Sequence, residues 1–176
     1  MFTMKRLYLM TAVLFAGLAI AALGPAQTSA QDGQPLELPC VTGVTVQPIG
    51  QAMPDGAEGE ALAVMRLTIA PGGGFAAHTH PGTLIVAIES GTFELTQLDD
   101  MEMVVMRGST GATPGTSEPT TGGIPTSLNP GDWFVEPEGM VHMAFNQGSE
   151  PTVVLVTGLV DPNQPFVQCV EGTPTE

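Results

Sequence analysis

The sequence predicts an all-β fold of sandwich or barrel type, and three observations predict it. Beyond residue 30 the apolar residues fall into short runs, several of them alternating with polar residues, which is strand patterning. Between the runs stand "PGGG", "SG", "DD", "NPGD", "PEG" and "NQGSEP", whose glycines, prolines and side-chain acceptors suit tight turns. No segment past residue 30 keeps a 3.6-residue apolar period, so no helix competes. Many short strands at close spacing are the mark of a sandwich or barrel.

In chain order, residues 1–30 come first and read as a secretory signal peptide. Lys5 and Arg6 give the positive start, "LYLMTAVLFAGLAIAAL" (7–23) the apolar core, and "GPAQTSA" a small-residue cleavage point after Ala30. Left uncleaved, the stretch would be a membrane anchor near the lower length limit. The expected location is therefore secreted or periplasmic, and membrane-anchored only without cleavage. Residues 31–176 then form one domain, long enough for a real core. Residues 49–59, "IGQAMPDGAEG", read as a polar connection.

The core of the domain spans about residues 60–160. Its expected strands are "EALAVMRLTIA" (60–70), "TLIVAIES" (83–90), "TFELTQL" (92–98) and "MEMVVMRG" (101–108). "DWFVE" (132–136), "VHMAFN" (141–146) and "TVVLVTGLV" (152–160) complete the series. Residues 109–130, "STGATPGTSEPTTGGIPTSLNP", break the rhythm. Their Thr, Gly, Pro and Ser offer little to bury, so they read as a surface insertion, with an ordered lid as the alternative.

Charge removes one class of function. Residues 31–176 carry Arg66 and Arg107 as their only cations against eighteen carboxylates, a formal charge of −16. Such a surface repels phosphate backbones and anionic lipid, which excludes nucleic acid as a partner and any stable membrane contact after cleavage. The two cysteines, Cys40 and Cys169, stand near the ends of this domain. In an exported chain they are expected to form a disulfide, the alternative being two free thiols in the core.

Three histidines are present in all, and two of them, His78 and His80, lie one residue apart in "AAHTHPGTLIVAIESG". In a strand, residues two apart point to the same side, so the two imidazoles project together. Neutral ring nitrogens facing one way make a metal clamp. The third, His142, lies in "GDWFVEPEGMVHMAFN" (131–146). Here Gly131, Pro137, Gly139, His142 and Asn146 match, without a gap, one of two signature segments of the cupin superfamily. Gly72, His78, His80 and Gly91 match the other, in the expected order. The chain thus resembles a single-domain cupin of about residues 60–160, whose fold is a small jelly-roll-like barrel, a double-stranded β-helix.

One position departs from that pattern. The family glutamate falls at residue 84 or 85, where this chain has Leu84 and Ile85. Glu89 has the wrong parity to replace it. The resemblance therefore implies a metal site of three histidines, His78, His80 and His142, holding one divalent transition metal with open positions. Without a hard oxygen donor, the imidazoles favour iron, copper, zinc or nickel and weigh against manganese. Leu84 shares the histidines' parity, with Val86 and Ile88 beyond, so the pocket floor is expected to be apolar.

Other residues carry blander readings. Met101, Met103 and Met106 read as flexible core filler rather than a soft copper site. Met143 neighbours His142 but faces away. Trp133 reads as core, and Glu136 and Glu138 as solvated turn residues. The leading function is an exported cupin with a three-histidine centre. Some cupins with three-histidine iron are dioxygenases, so the resemblance admits a dioxygen-using oxidoreductase acting on a small organic molecule. The alternative is a non-catalytic module binding a small molecule or carbohydrate. Because cupins often pair through their barrels, a homodimer is also an expectation.

Overall fold

The computed structural model describes residues 33–108 and 115–171. The signal-peptide reading of residues 1–30 lies outside the described residues. Within them are twelve strands and no helix. They are β1 (Gln34–Pro35), β2 (Val41–Ala52), β3 (Ala61–Thr79), β4 (Gly82–Ser90), β5 (Phe93–Gln97) and β6 (Val104–Met106). The series continues with β7 (Ser117–Pro119), β8 (Thr126–Leu128), β9 (Trp133–Glu136), β10 (His142–Phe145), β11 (Thr152–Val160) and β12 (Gln168–Cys169).

All the strand pairs are antiparallel. Their order is β7-β6-β9-β4-β11-β3-β10-β5-β8, with β2 and β12 also on β3. The long strand β3 explains how one sheet curls into a barrel. Its first half, Ala61–Ile69, pairs with β11, and its last part, Gly74–His78, pairs with β10. The corner falls at "APGGG". A side chain at Gly74 would overlap the Ala144 carbonyl on β10, so the close approach there needs glycine.

Alternation fills the interior. Leu84, Val86 and Ile88 of β4 point inward with Leu67, Ile69, Leu95, Phe134, Val154 and Val156, all buried. As period-two parity requires, Glu89 faces out, where Arg66 donates to it at 2.6 Å. Phe134 is fully buried while Trp133 and Val135, its neighbours on β9, are exposed. The expectation that Trp133 packs in the core is therefore corrected: the three consecutive apolar residues concealed the phase of the strand. Met103 is core, Met101 is exposed, and Met106 is half-buried.

Three further boundaries differ from expectation. Strand β2 runs on through residues 49–52, which read as connection because their side chains are exposed and do not alternate. Strand β6 is confined to Val104–Met106. The insertion 109–130 is structured over its described part: β7 pairs with β6, β8 pairs with β5, and Leu128 is wholly buried. Residues 109–114 lie outside the described residues. Backbone pairing, which composition does not display, holds the rest in place.

Polar contacts fasten that insertion to the barrel. The Arg107 guanidinium donates to Glu118 at 2.8 Å, to Asp132 at 2.8 Å and to the Ser127 carbonyl at 2.9 Å. Asp132, itself buried, accepts from the backbone N–H of Gly108 and of Asn129. Burial alone would raise the Asp132 carboxyl, but these donors and Arg107 together hold it below its usual value. Its contribution to stability is then complete above the ordinary carboxylate range and drains as pH falls through the depressed folded value. Replacing Asp132 with Asn should cost about 2 kcal/mol. In urea titrations the gap to wild type should close below pH 4, and a pH-independent gap would refute the assignment.

Cys40 and Cys169 form a disulfide with 5.6 Å between Cα atoms, as expected of an exported chain. The bridge is consistent with an extracellular location.

Candidate metal centre

The site is assembled by strand register. His78 on β3 and His142 on β10 are direct cross-strand partners, so their side chains leave the sheet on the same face, side by side. His80 follows His78 by two residues and shares its side. Ring centroids of His78 and His142 lie 4.2 Å apart, and those of His80 and His142 lie 5.4 Å apart. One nitrogen of each histidine falls within 4.8 Å of the others, and all three side chains are buried. The three sequence-predicted residues are brought together.

Their tautomers are set by the backbone. Nδ1 of His78 donates to the Ala76 carbonyl at 2.8 Å, that of His80 to Phe166 at 2.6 Å, and that of His142 to Met140 at 3.0 Å. A carbonyl oxygen only accepts, so each Nδ1 carries the hydrogen. In the neutral rings Nε2 is left with its lone pair toward the centre, the arrangement metal-ligating histidines adopt.

A fourth group was missed at the sequence level. Glu136 at the end of β9 is buried, with Oε1 at 3.2 Å from His142 Nε2 and Oε2 at 3.5 Å from His80 Nε2. The reading of Glu136 as a solvated turn residue is corrected, whereas Glu138 is exposed as expected. Register explains the position. Glu136 is the cross-strand partner of Leu84, the place where the family glutamate would stand. Here a carboxylate stands on the adjacent strand instead and faces the same site. The signal that would have revealed it is parity with Asp132 and Phe134 along "DWFVE".

Electrostatics in this enclosure are opposed in sign. Burial, then the neighbouring His142 and His80, push the His78 imidazole down to about 3, so it stays neutral. Burial likewise lowers His80, with Glu136 partly offsetting it. Burial alone would lower His142 too, but the Glu136 carboxylate carries it above its ordinary value. Burial would raise Glu136, yet the three imidazoles hold it ionised, down to about 2. Even so, Glu136 Oε2 has no hydrogen-bond partner, a costly condition for a buried charge. Ligands about 2.1 Å from a common ion at tetrahedral or right angles stand roughly 3.0–3.4 Å apart. The spacing of Glu136 from His80 and His142 is close to that range. Three imidazole nitrogens and an orphaned carboxylate oxygen therefore fit a divalent transition ion.

Glu136 places a hard oxygen donor beside His80 and His142, so the donor set is not confined to imidazole as the sequence suggested. The centre forms part of the wall of a cavity of about 460 Å³. Leu84 and Val86 line it as parity predicted, together with Phe75, Phe93 and Phe166. Two further segments contribute to the wall, one through Pro35, Leu36 and Leu38 and the other through Pro165, Phe166 and Val167.

Comparison with known proteins agrees with this architecture. A family model described as Cupin matches residues 42–172. Among solved structures, the chain is similar to the polyketide cyclase RemF from Streptomyces resistomycificus, at 16% identity and a TM-score of 0.57 over 82% of each chain. It is also similar to KdgF from Halomonas sp., at 18% identity and a TM-score of 0.46 over 72% of this chain and 84% of that one. A third likeness is to the oxalate decarboxylase of Lactobacillus farciminis, at 16% identity and a TM-score of 0.47 over 78% of this chain and 33% of that one. At such identity the first likeness speaks for the fold alone, and the other two carry no argument. No curated protein matches the chain in sequence.

Proposed function

The chain belongs to the cupin family, and from that premise we propose an exported metalloprotein whose His78, His80, His142 and Glu136 hold one divalent transition metal. We further propose that it oxidises a small organic molecule with dioxygen. The single observation that carries the metal reading is the convergence of three carbonyl-locked imidazoles on a buried carboxylate oxygen without a donor. A divalent ion held there supplies Lewis acidity and, where it is iron or copper, redox chemistry.

The chain's own residues do the rest. The Ala76, Phe166 and Met140 carbonyls fix the imidazole orientations, so little reorganisation accompanies loading. Glu136, held ionised, lowers the net charge of the loaded site to one positive unit. The apolar walls keep water from the open side, which strengthens the electrostatics within. The carbohydrate-binding alternative loses support, because 17 of the 22 lining residues are apolar and sugars need many hydrogen-bonding partners.

The test begins with metal analysis of untagged protein recovered from the export compartment. About one transition ion per chain is expected. Dioxygen uptake is then followed with iron or copper restored, over a panel of thiols, diketones and phenols. Uptake that depends on one class of substrate and vanishes in His142→Ala supports the enzyme. A bound ion with no uptake across the panel favours the binding module instead, and protein that takes up no ion refutes the reading.

A further inference from the structure

The cavity's walls specify what it admits. Apart from the three histidines, Glu136 and the exposed Gln34, every described residue lining it is apolar. Past residue 30 the chain has two cations, and neither lines the cavity. Arg66 is held by Glu89 at 2.6 Å, and Arg107 by Glu118 at 2.7 Å and Asp132 at 2.8 Å. With no helix among the described residues, no helix N-terminus offers an anion site there. The charge of a loaded centre is equally limiting. A divalent ion beside one carboxylate leaves a single positive unit, which one anionic oxygen neutralises. Any second charge on the ligand would lie unpaired against Val, Leu, Met and Phe side chains, at a large desolvation cost. The strongly acidic surface also repels polyanions before they arrive.

We infer that this site takes a largely apolar organic molecule whose one ionisable group is an oxygen head group presented to the centre, and that it excludes dicarboxylates and zwitterions. The head-group half rests on the metal reading above, whereas the wall half stands without it. A volume of about 460 Å³ is in the range of pockets for drug-sized ligands, which suits one or two fused rings rather than a two-carbon acid. The rim explains how such a ligand is enclosed. Leu36 and Leu38 on one segment and Pro165, Phe166 and Val167 on another border the cavity, and the Cys40–Cys169 bridge ties the two segments together.

Isothermal titration with 2-naphthol and with naphthalene-2,6-dicarboxylate, on metal-free and zinc-loaded protein, separates the two halves. We expect 2-naphthol to bind both forms, and more tightly with zinc present. The dicarboxylate, of similar ring size, should bind at least about 100-fold more weakly to either form. Leu38 is half-buried at the rim, so Leu38→Arg leaves room for the guanidinium to reach water. It should narrow that gap at least about tenfold by supplying the missing cation. Leu36→Arg, also half-buried at the rim, is the second variant should the first fold poorly. Equal binding of the two probes, or no binding of 2-naphthol to either form, overturns the wall inference. If zinc is taken up but leaves 2-naphthol affinity unchanged, the head-group half falls. Failure to take up zinc refutes the metal reading and leaves the wall result to be judged on the metal-free protein.

Discussion

Replacing Glu136 with Leu is expected to lower affinity for a divalent transition metal by about 100-fold or more, without destabilising the metal-free protein. The two halves of that result come from one cause. Glu136 is a buried carboxylate whose Oε2 finds no donor, and burial costs an ion several kcal/mol before any partner repays it. Leu would fill similar space on the strand position opposite Leu84, in a largely apolar wall, with no charge to desolvate. His142, deprived of its carboxylate partner at 3.2 Å, can shed its proton and become neutral, so no isolated charge remains. The unfolding midpoint of metal-free Glu136→Leu should therefore equal or exceed that of wild type. Metal titration should meanwhile show the loss, because three neutral nitrogens no longer offset the cation's charge. His142→Ala should lose affinity too, but it also opens a void between β3 and β10, so its midpoint should fall. A Glu136→Leu protein destabilised by several kcal/mol would mean that Glu136 and His142 form a structural ion pair, and the metal reading would lose its carboxylate.

The three histidines were legible in the sequence because their chemistry and their spacing agree. His78 and His80 share parity, and His142 falls at a fixed distance from Gly131, Pro137 and Gly139. The structure gives those glycines a physical role. Gly131 and Gly139 adopt positive φ, and the Gly139 N–H donates to the His80 carbonyl, which joins the two segments. Glu136 was illegible for the opposite reason. Its place depends on which residue of β4 it pairs with, and cross-strand register is not written in either strand alone. Strands β7 and β8 were hidden likewise, since pairing at a barrel's edge needs no apolar pattern. The exposed tail of β2 shows the same limit: the strand continues because β3 accepts its hydrogen bonds, not because its side chains demand it.

Loss of the Cys40–Cys169 bridge is expected to cost about 4–5 kcal/mol and to loosen the metal site in the same step. The bridge links residues 129 apart, so it closes nearly the whole described domain. In the chain-entropy account a loop that long restrains the unfolded chain by close to the largest amount one disulfide gives. For a domain of this size the unfolding midpoint should fall by roughly 10–15 °C. The local effect follows from where the bridge sits. On β12, Cys169 pairs with His78 and Gln168 with Thr79, and the Val170 N–H donates to Ala77. Three residues before the bridge, the Phe166 carbonyl receives the His80 Nδ1 hydrogen at 2.6 Å, and the Phe166 ring lies 4.9 Å from the imidazole. On the other side, the Cys40 carbonyl accepts from Ala76 at 2.8 Å. Freed from the staple, the 161–170 segment would hold His80 less firmly in its tautomer. Loss of such an outer partner typically weakens metal binding by about 10–100-fold. The Cys40→Ser, Cys169→Ser protein, measured well below its midpoint, should show both the thermal shift and the weaker binding. It should also resemble wild type treated with reductant. A lower midpoint with unchanged metal affinity would confine the bridge to stability and leave β3 alone to position the histidines.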